Sequence, residues 1–356
     1  MIKLNSRKQK AESRRHEGAK VGHRISHIAY PIFHLLFFAF LFSSCETPIS
    51  LNIPGKEDTK VIEGWIENDK PAIVVVSQSL SYYSSVGVES ILASVDTAAI
   101  VKISDDMGNT EQLQRQHTME HAFTFFLLAS ISPNPSALVD SSIFMKLLTL
   151  TPYAYVGKTI KGIPGHTYTL YVESKGEVYT AKTTIPLNTV QVDSLALFKR
   201  SSDTSATLRV FLTDRAETYD CYRFFLKIEH LDWHYEQVFI GTFDDLTFNG
   251  LSASYELMRR PQGNIYIPGM SQEMREEYNR STFRKGDVIH VKSTLTDKAT
   301  ADYWFPLQTD IALGDNPFMT PGTYPTNIKG ENVTGIWSGY NARYDTIRFD
   351  ASAVLR

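Results

Sequence analysis

Apolar and polar residues alternate with a period of two along much of this chain. Lys60-Val-Ile-Glu-Gly-Trp-Ile-Glu67 alternates in this way, and Ala72-Ile-Val-Val-Val-Ser77 reads as a buried strand. Ala98-Ala-Ile-Val-Lys-Ile-Ser104 is another strand, closed by Asp105-Asp106-Met107-Gly108-Asn109, a tight turn in which Gly108 suits positive φ. The clearest hairpin joins His166–Glu173 to Glu177–Thr184 through Ser174-Lys175-Gly176, a link short enough only for a turn. Phe123–Leu128 and Ile143–Leu148 are apolar runs too short to cross a bilayer as helices. They read as core strands, with an exposed partner surface as the alternative.

Ile185-Pro186-Leu187-Asn188 looks like a domain boundary. Beyond it, Val190–Phe198, Ala206–Thr213, Tyr222–Glu229 and Val288–Ser293 read as strands. Residues 258–285 are polar and charged, a long excursion with room for a short helix. Helical prospects are best from Thr296 to Leu313, with the helix placed near 297–313 and Pro306 expected to break or kink it. The pattern shows neither βαβ units nor a fixed repeat. The expected fold is all-β: two β-sandwich-like domains in tandem, at 60–187 and 188–356, with that one short helix.

The first 44 residues are a different material. Residues 1–27 carry eight Lys or Arg against Glu12 and Glu17, and Ile28–Phe42 is a fifteen-residue stretch without formal charge. As a helix it would span about 22 Å, short of the roughly 30 Å hydrocarbon core. A basic region, a short apolar core and the small residues Ser43 and Ser44 make a secretory signal. Leu41-Phe42-Ser43-Ser44-Cys45 resembles a bacterial lipobox, in which Cys45 is acylated and becomes the new N-terminus. Phe42 departs from the usual Leu. The organisation read from this is a lipoprotein signal peptide at 1–44, a tether at 45–59, and the two domains.

Removing that segment changes the charge. The whole chain has 36 basic and 39 acidic residues; without 1–44 the remaining 312 residues hold 28 and 37, a net charge of −9. An acidic body argues against a nucleic-acid partner. Two cysteines exclude a disulfide scaffold and four-cysteine metal sites. With Cys45 lipidated, Cys221 is left without a partner and reads as a small buried hydrophobe.

Little chemistry is legible. Nucleophile elbow, Walker loop, dinucleotide fingerprint and His-Glu-x-x-His pair are all missing. His230-Leu-Asp-Trp-His234 has metal-like spacing, which Asp232 or Glu236 would have to complete, but a strand-rich context spoils the geometry. Phe243-Asp244-Asp245 with Asn249 offers calcium-type oxygens but reads better as turn formers. Trp304, Phe305, Trp337, Tyr340 and Tyr344 would stack on sugar rings or hold a partner, or serve as core. No catalytic residue, metal or cofactor is assigned.

Several stretches in order resemble one family of outer-membrane lipoproteins of Bacteroidota, domain of unknown function 4249. They are Ser44-Cys45, Val61–Ile66, Val101–Gly108, Gly162–Leu170, Phe243-Asp244-Asp245 with Asn249-Gly250, Gly286–Val291, Asn316-Pro317-Phe318, and Asn327 with Gly335–Tyr340. The N-terminal half also looks like a carboxypeptidase-regulatory or transthyretin-like sandwich. The resemblance implies a non-enzymatic, lipid-anchored outer-membrane protein that serves as accessory or partner of a TonB-dependent receptor in nutrient uptake. The alternative is a surface lipoprotein binding glycan or peptide directly, using Trp304, Trp337, Tyr340 and Tyr344.

Overall fold

The computed structural model describes residues 59–79, 94–117, 153–199, 205–232, 234–259, 272–313, 324–350 and 354–355. Cys45, the signal and tether segments, and the runs Phe123–Leu128 and Ile143–Leu148 lie outside them. The N-terminal strands are β1 (Lys60–Glu67), β2 (Pro71–Gln78), β3 (Ile100–Asp105), β4 (Thr110–Gln112) and β5 (Gln114–His117). Then come β6 (Tyr153–Lys161), β7 (Thr167–Ser174), β8 (Glu177–Thr184), β9 (Val192–Lys199) and β10 (Ser205–Thr213). The rest are β11 (Cys221–Ile228), β12 (Glu236–Asp244), β13 (Ser252–Leu257), helix α1 (Gln272–Asn279), β14 (Phe283–Arg284), β15 (Val288–Thr296), helix α2 (Lys298–Leu313), β16 (Val333–Arg348) and β17 (Val354–Leu355). The protein is all-β with helices as covers, as the alternating pattern requires. None of the described helices is long and apolar enough to cross a membrane.

Three sheets build it. The largest has eight strands in the order β12-β11-β15-β16-β1-β2-β6-β5; a five-stranded sheet runs β13-β10-β9-β17 with β14 also paired to β10, and a four-stranded one runs β4-β3-β7-β8. Strand alternation gives the large sheet two unlike faces. On one face Ile62, Ile66, Val74, Val76 and Trp337 pack with Val101, Ile103, Leu170 and Val172 of the four-stranded sheet. Further along the same face, Phe224, Leu226, Ile289 and Val291 pack with Leu197, Leu208 and Val210 of the five-stranded sheet. Two sandwiches therefore share one broad layer.

Ile185 packs in the first core and Val190 in the second, and Ile328 and Trp337 return to the first. The backbone ladder also joins the two. β1 pairs in parallel with β16 over eight registered residues, Lys60↔Val333 to Glu67↔Tyr340. β16 carries Trp337 into the first core, and the chain just beyond it carries Phe349 into the second. Residues 60–187 and 188–356 are thus joined by hydrogen bonding across the boundary, a pairing of distant strands that local pattern does not encode.

Local chemistry explains the details. Lys175 and Gly176 both take positive φ (53° and 85°), the geometry of a two-residue hairpin turn whose twist suits the flanking strands. In β1, Gly64 is where Trp337 crosses: an added Cβ would stand 2.9 Å from Val74 Cγ2 and 3.0 Å from Trp337 Cε3. Helix α2 starts one residue later than expected and runs through Pro306 without ending. Asp297 caps it, its Oδ1 accepting the Thr300 N–H at 2.9 Å. Packing on β11, β12 and β16 offsets the hydrogen bond that proline removes. The polar excursion contains α1, the short helix for which it had room.

Candidate functional site

The second face of the eight-stranded sheet is polar, yet largely buried. Alternation puts Glu63 and Glu67 of β1, Tyr340 and Tyr344 of β16, Lys292 of β15, and Arg223 and Phe225 of β11 on this side. α2 lies over part of it and adds Tyr303, Trp304 and Gln308. The four aromatic residues singled out in the sequence therefore separate. Trp337 is fully buried on the opposite face, its indole N–H donating to the Tyr168 carbonyl at 3.0 Å. Tyr340 is 3% exposed, Trp304 is half-buried and Tyr344 is exposed. Trp304 and Trp337 share no cleft, because α2 covers one face of the sheet while Trp337 of β16 enters the core on the other.

What the second face assembles is a line of charges and rings. Glu67 is held by three donors: the buried ammonium of Lys292, Lys70 at 2.8 Å, and the Tyr344 hydroxyl. Burial works to raise the Glu67 pKa, but the two ammonium groups outweigh it and hold it below the usual carboxylate range. Lys292 lies 4.8 Å from the Phe225 ring centre and 5.5 Å from that of Tyr340. Across the same two rings stands Arg223, at 5.0 and 5.7 Å.

Arg223 is 4% exposed. Its guanidinium stacks on Trp304, 3.7 Å from the ring centre. It donates to the Tyr340 hydroxyl and, at 2.6 Å, to Gln237 Oε1. Among the described residues no carboxylate lies within ion-pairing distance, and Arg223 Nε meets no acceptor. Glu63, half-buried nearby, has its pKa raised by burial against the opposing pull of Arg223. Burial raises the pKa of Tyr340 against the opposing pull of Arg223, and among the described residues the buried Ser338 hydroxyl meets no hydrogen-bond partner.

Beside this cluster the sheet edge opens. β11 and β12 pair at Arg223↔Thr242 and Phe225↔Gln237, so residues 238–241 bulge outwards, with Ile240 at φ 52°. Positive φ is costly for a β-branched residue. A cavity of about 60 Å³ lies in the bulge, lined by Gln237, Val238, Phe239, Ile240, Trp304, Gln308 and Ile311. Ile240, Phe305 and Ile311 are exposed around it.

Other clusters resolve into structural roles. His230 and His234 turn to different partners: His234 meets Glu236 at 2.9 Å, whereas His230 lies 3.7 Å from Asp287. Asp232 is taken by Arg259 and by the Ile228 N–H at 2.8 Å, so neither residue expected to complete a metal site does so. Folding instead brings His230 to Glu277 and Asp287, a grouping invisible in sequence. Both carboxylates already hold Arg280, Glu277 at 2.7 Å from its Nε and Asp287 at 2.7 and 2.8 Å from its two terminal nitrogens. A guanidinium fills the cation's place.

Asp244 accepts from Leu246 N at 3.3 Å, a local turn bond, and from the Tyr219 hydroxyl at 2.7 Å, whereas Asp245 accepts the distant Asp220 N–H at 2.7 Å and so ties two loops together. Lys60 Nζ lies 2.8 Å from Ser174 Oγ, a spacing suggestive of a Ser–Lys dyad. Asp96, 3.0 Å from the same Nζ, also accepts from the Ser174 hydroxyl, so the three side chains close into one structural hydrogen-bonded cluster. Cys221 is buried, and burial together with Asp244 pushes its thiol up to about 12.

Compared with known proteins, the chain matches no family model and no curated protein. Among solved structures it is similar to a two fibronectin type-III domain segment from chicken tenascin. The identity is 11%, over 67% of this chain and 91% of that one, and the TM-score is 0.17. A likeness that weak carries no argument about function.

Proposed function

We propose that this chain is a non-enzymatic, lipid-anchored outer-membrane protein, acting as accessory or partner of a TonB-dependent receptor in nutrient uptake. The observation that carries the reading is the junction Ser43-Ser44-Cys45 after a basic and apolar segment. Support comes from the other cysteine: Cys221 is buried with a raised pKa, which leaves Cys45 as the residue suited to acylation. The exposed apolar residues of α2 and the β12 bulge suit contact with another protein. The resemblance to domain of unknown function 4249 rests on the stretches quoted above.

Labelling cells with an alkyne-bearing fatty acid should mark the wild-type protein and not Cys45→Ala. Purification from membranes in mild detergent should recover a receptor barrel. Absence of label, or repeated absence of a barrel, overturns the corresponding half of the reading.

Direct binding of a glycan is the second reading, and Tyr344 favours it. This exposed ring packs edge-on to Tyr235 at 5.4 Å and carries Lys70 4.3 Å from its centre. Trp337 and Tyr340 are buried and offer no platform.

A further inference from the structure

We propose that the cavity between α2 and the β12 bulge binds a small carboxylate bearing a short aliphatic tail, with Arg223 as the charge that receives it. Arg223 is a buried cation held by neutral acceptors and by aromatic rings, without a carboxylate in ion-pairing distance among the described residues. Buried arginine is ordinarily paired, because an uncompensated charge costs several kcal/mol when it leaves water. Among the described residues, two N–H donors of the same cluster, Arg223 Nε and Trp304 Nε1, are buried without an acceptor. Such groups call for a partner.

The cavity adjoins this charge. Gln237 and Trp304, which contact the guanidinium, are also cavity walls, so Arg223 stands one side chain behind the void. The remaining walls are mostly apolar: Val238, Phe239, Ile240 and Ile311. About 60 Å³ is less than half of the roughly 150 Å³ that holds benzene, so the tail is short. A carboxylate entering here takes the place of Gln237 Oε1 on Arg223 and exchanges a neutral acceptor for an ionised one, which makes the stronger hydrogen bond. The charged groups facing the site are Glu63 and Lys292. Lys292 is already paired with Glu67, and Glu63 makes no hydrogen bond among the described residues. The positive φ of Ile240 marks the bulge as a place where backbone strain is held to shape a site.

The same chemistry is offered by a free short-chain acid and by a peptide ending in an aliphatic residue. The full chain in detergent, labelled with ¹⁵N at tryptophan indoles, separates them by NMR, with the Trp304 cross-peak assigned through Trp304→Phe. Butyrate should shift that peak saturably, and 1-butanol and butylamine should not. Arg223→Gln should weaken the response roughly tenfold or more. Because that variant removes a buried group, Ile311→Trp serves as a second: it fills the mouth from an exposed position and should abolish the shift while the remaining spectrum persists. Ala-Ala-Val with a free carboxyl binding more tightly than butyrate, and its amide failing to bind, identifies a peptide end; butyrate binding more tightly identifies the free acid. No saturable shift with either carboxylate, an equal shift with butanol, or an unchanged response in Ile311→Trp overturns the proposal.

Discussion

The side-chain amide of Gln308 pairs with both backbone polar groups of Thr242: its Oε1 accepts the N–H at 2.9 Å and its Nε2 donates to the carbonyl at 2.6 Å. A helix residue thus imitates the neighbouring strand that β12, at the edge of the eight-stranded sheet, would otherwise lack. Unprotected edges recruit other chains, and proteins cover them by devices of this kind.

Gln308→Ala should therefore leave two buried backbone groups unsatisfied at Thr242, which is itself fully buried. The expected loss is about 2–4 kcal/mol of unfolding free energy, read by urea denaturation. Size-exclusion chromatography of the variant should show self-association through the opened edge. A stability within 0.5 kcal/mol of wild type, the usual range for surface substitutions, would show that the pairing is incidental.

The two β1 carboxylates should respond oppositely to pH. Glu67 has a depressed pKa in the fold, so its contribution is complete above its unfolded value and fades as pH falls through the folded one. Glu67→Gln should cost about 3–5 kcal/mol at pH 7, by stranding buried Lys292, and much less in acid. Glu63 has a raised pKa, so the fold loses stability as pH climbs from the unfolded value to the folded one. Glu63→Gln should accordingly stabilise at pH 7 and have little effect at pH 4. Melting temperatures at the two pH values check both signs.

Gly64→Ala should cost about 1–3 kcal/mol, because the new methyl presses on Val74, on the Ile73 carbonyl at 3.0 Å and on Trp337. Near-ultraviolet circular dichroism should change as well, since Trp337 must shift to make room.

In Cys45→Ala, where Cys221 is the remaining cysteine, the thiol should stay silent to an aromatic disulfide reagent at pH 8 and react once the chain is unfolded. Burial denies access, and a pKa near 12 denies the thiolate. Rapid reaction in buffer would contradict the assigned environment.

Period-two alternation made the strands legible: β1 begins and ends at Lys60 and Glu67 as the pattern predicts, and the turn before β8 was visible in Lys175-Gly176. Cys221 was legible as a small residue inside the apolar pattern of β11, and Asp244 through its bond to Leu246 N two residues on; the reach of Asp245 to Asp220, 25 residues away, was not. Pairing between β1 and β16 was not, because the residues lie more than 270 positions apart and no local preference encodes it. The line from Glu67 through Lys292 to Arg223 was missed with it. In the sequence these are scattered charges of ordinary type, and only the register of β1, β16, β15 and β11 brings them onto one face. In the sequence Trp337 reads either as core or as a stacking ring, because composition does not say which parity of β16 faces the core; the register of β16 places it in the core. Arg223 did carry a signal: it stands inside the apolar run Cys221–Leu226, where a lone cation needs a reason.

The parallel pairing of β1 with β16 also decides how the molecule bears load. A chain held at its N-terminus and drawn from the far end of β16 is pulled along the two strands in opposite directions. Their eight registered pairs then resist together in shear, and none can be unzipped one at a time. Tension entering at Lys60 meets this lock first.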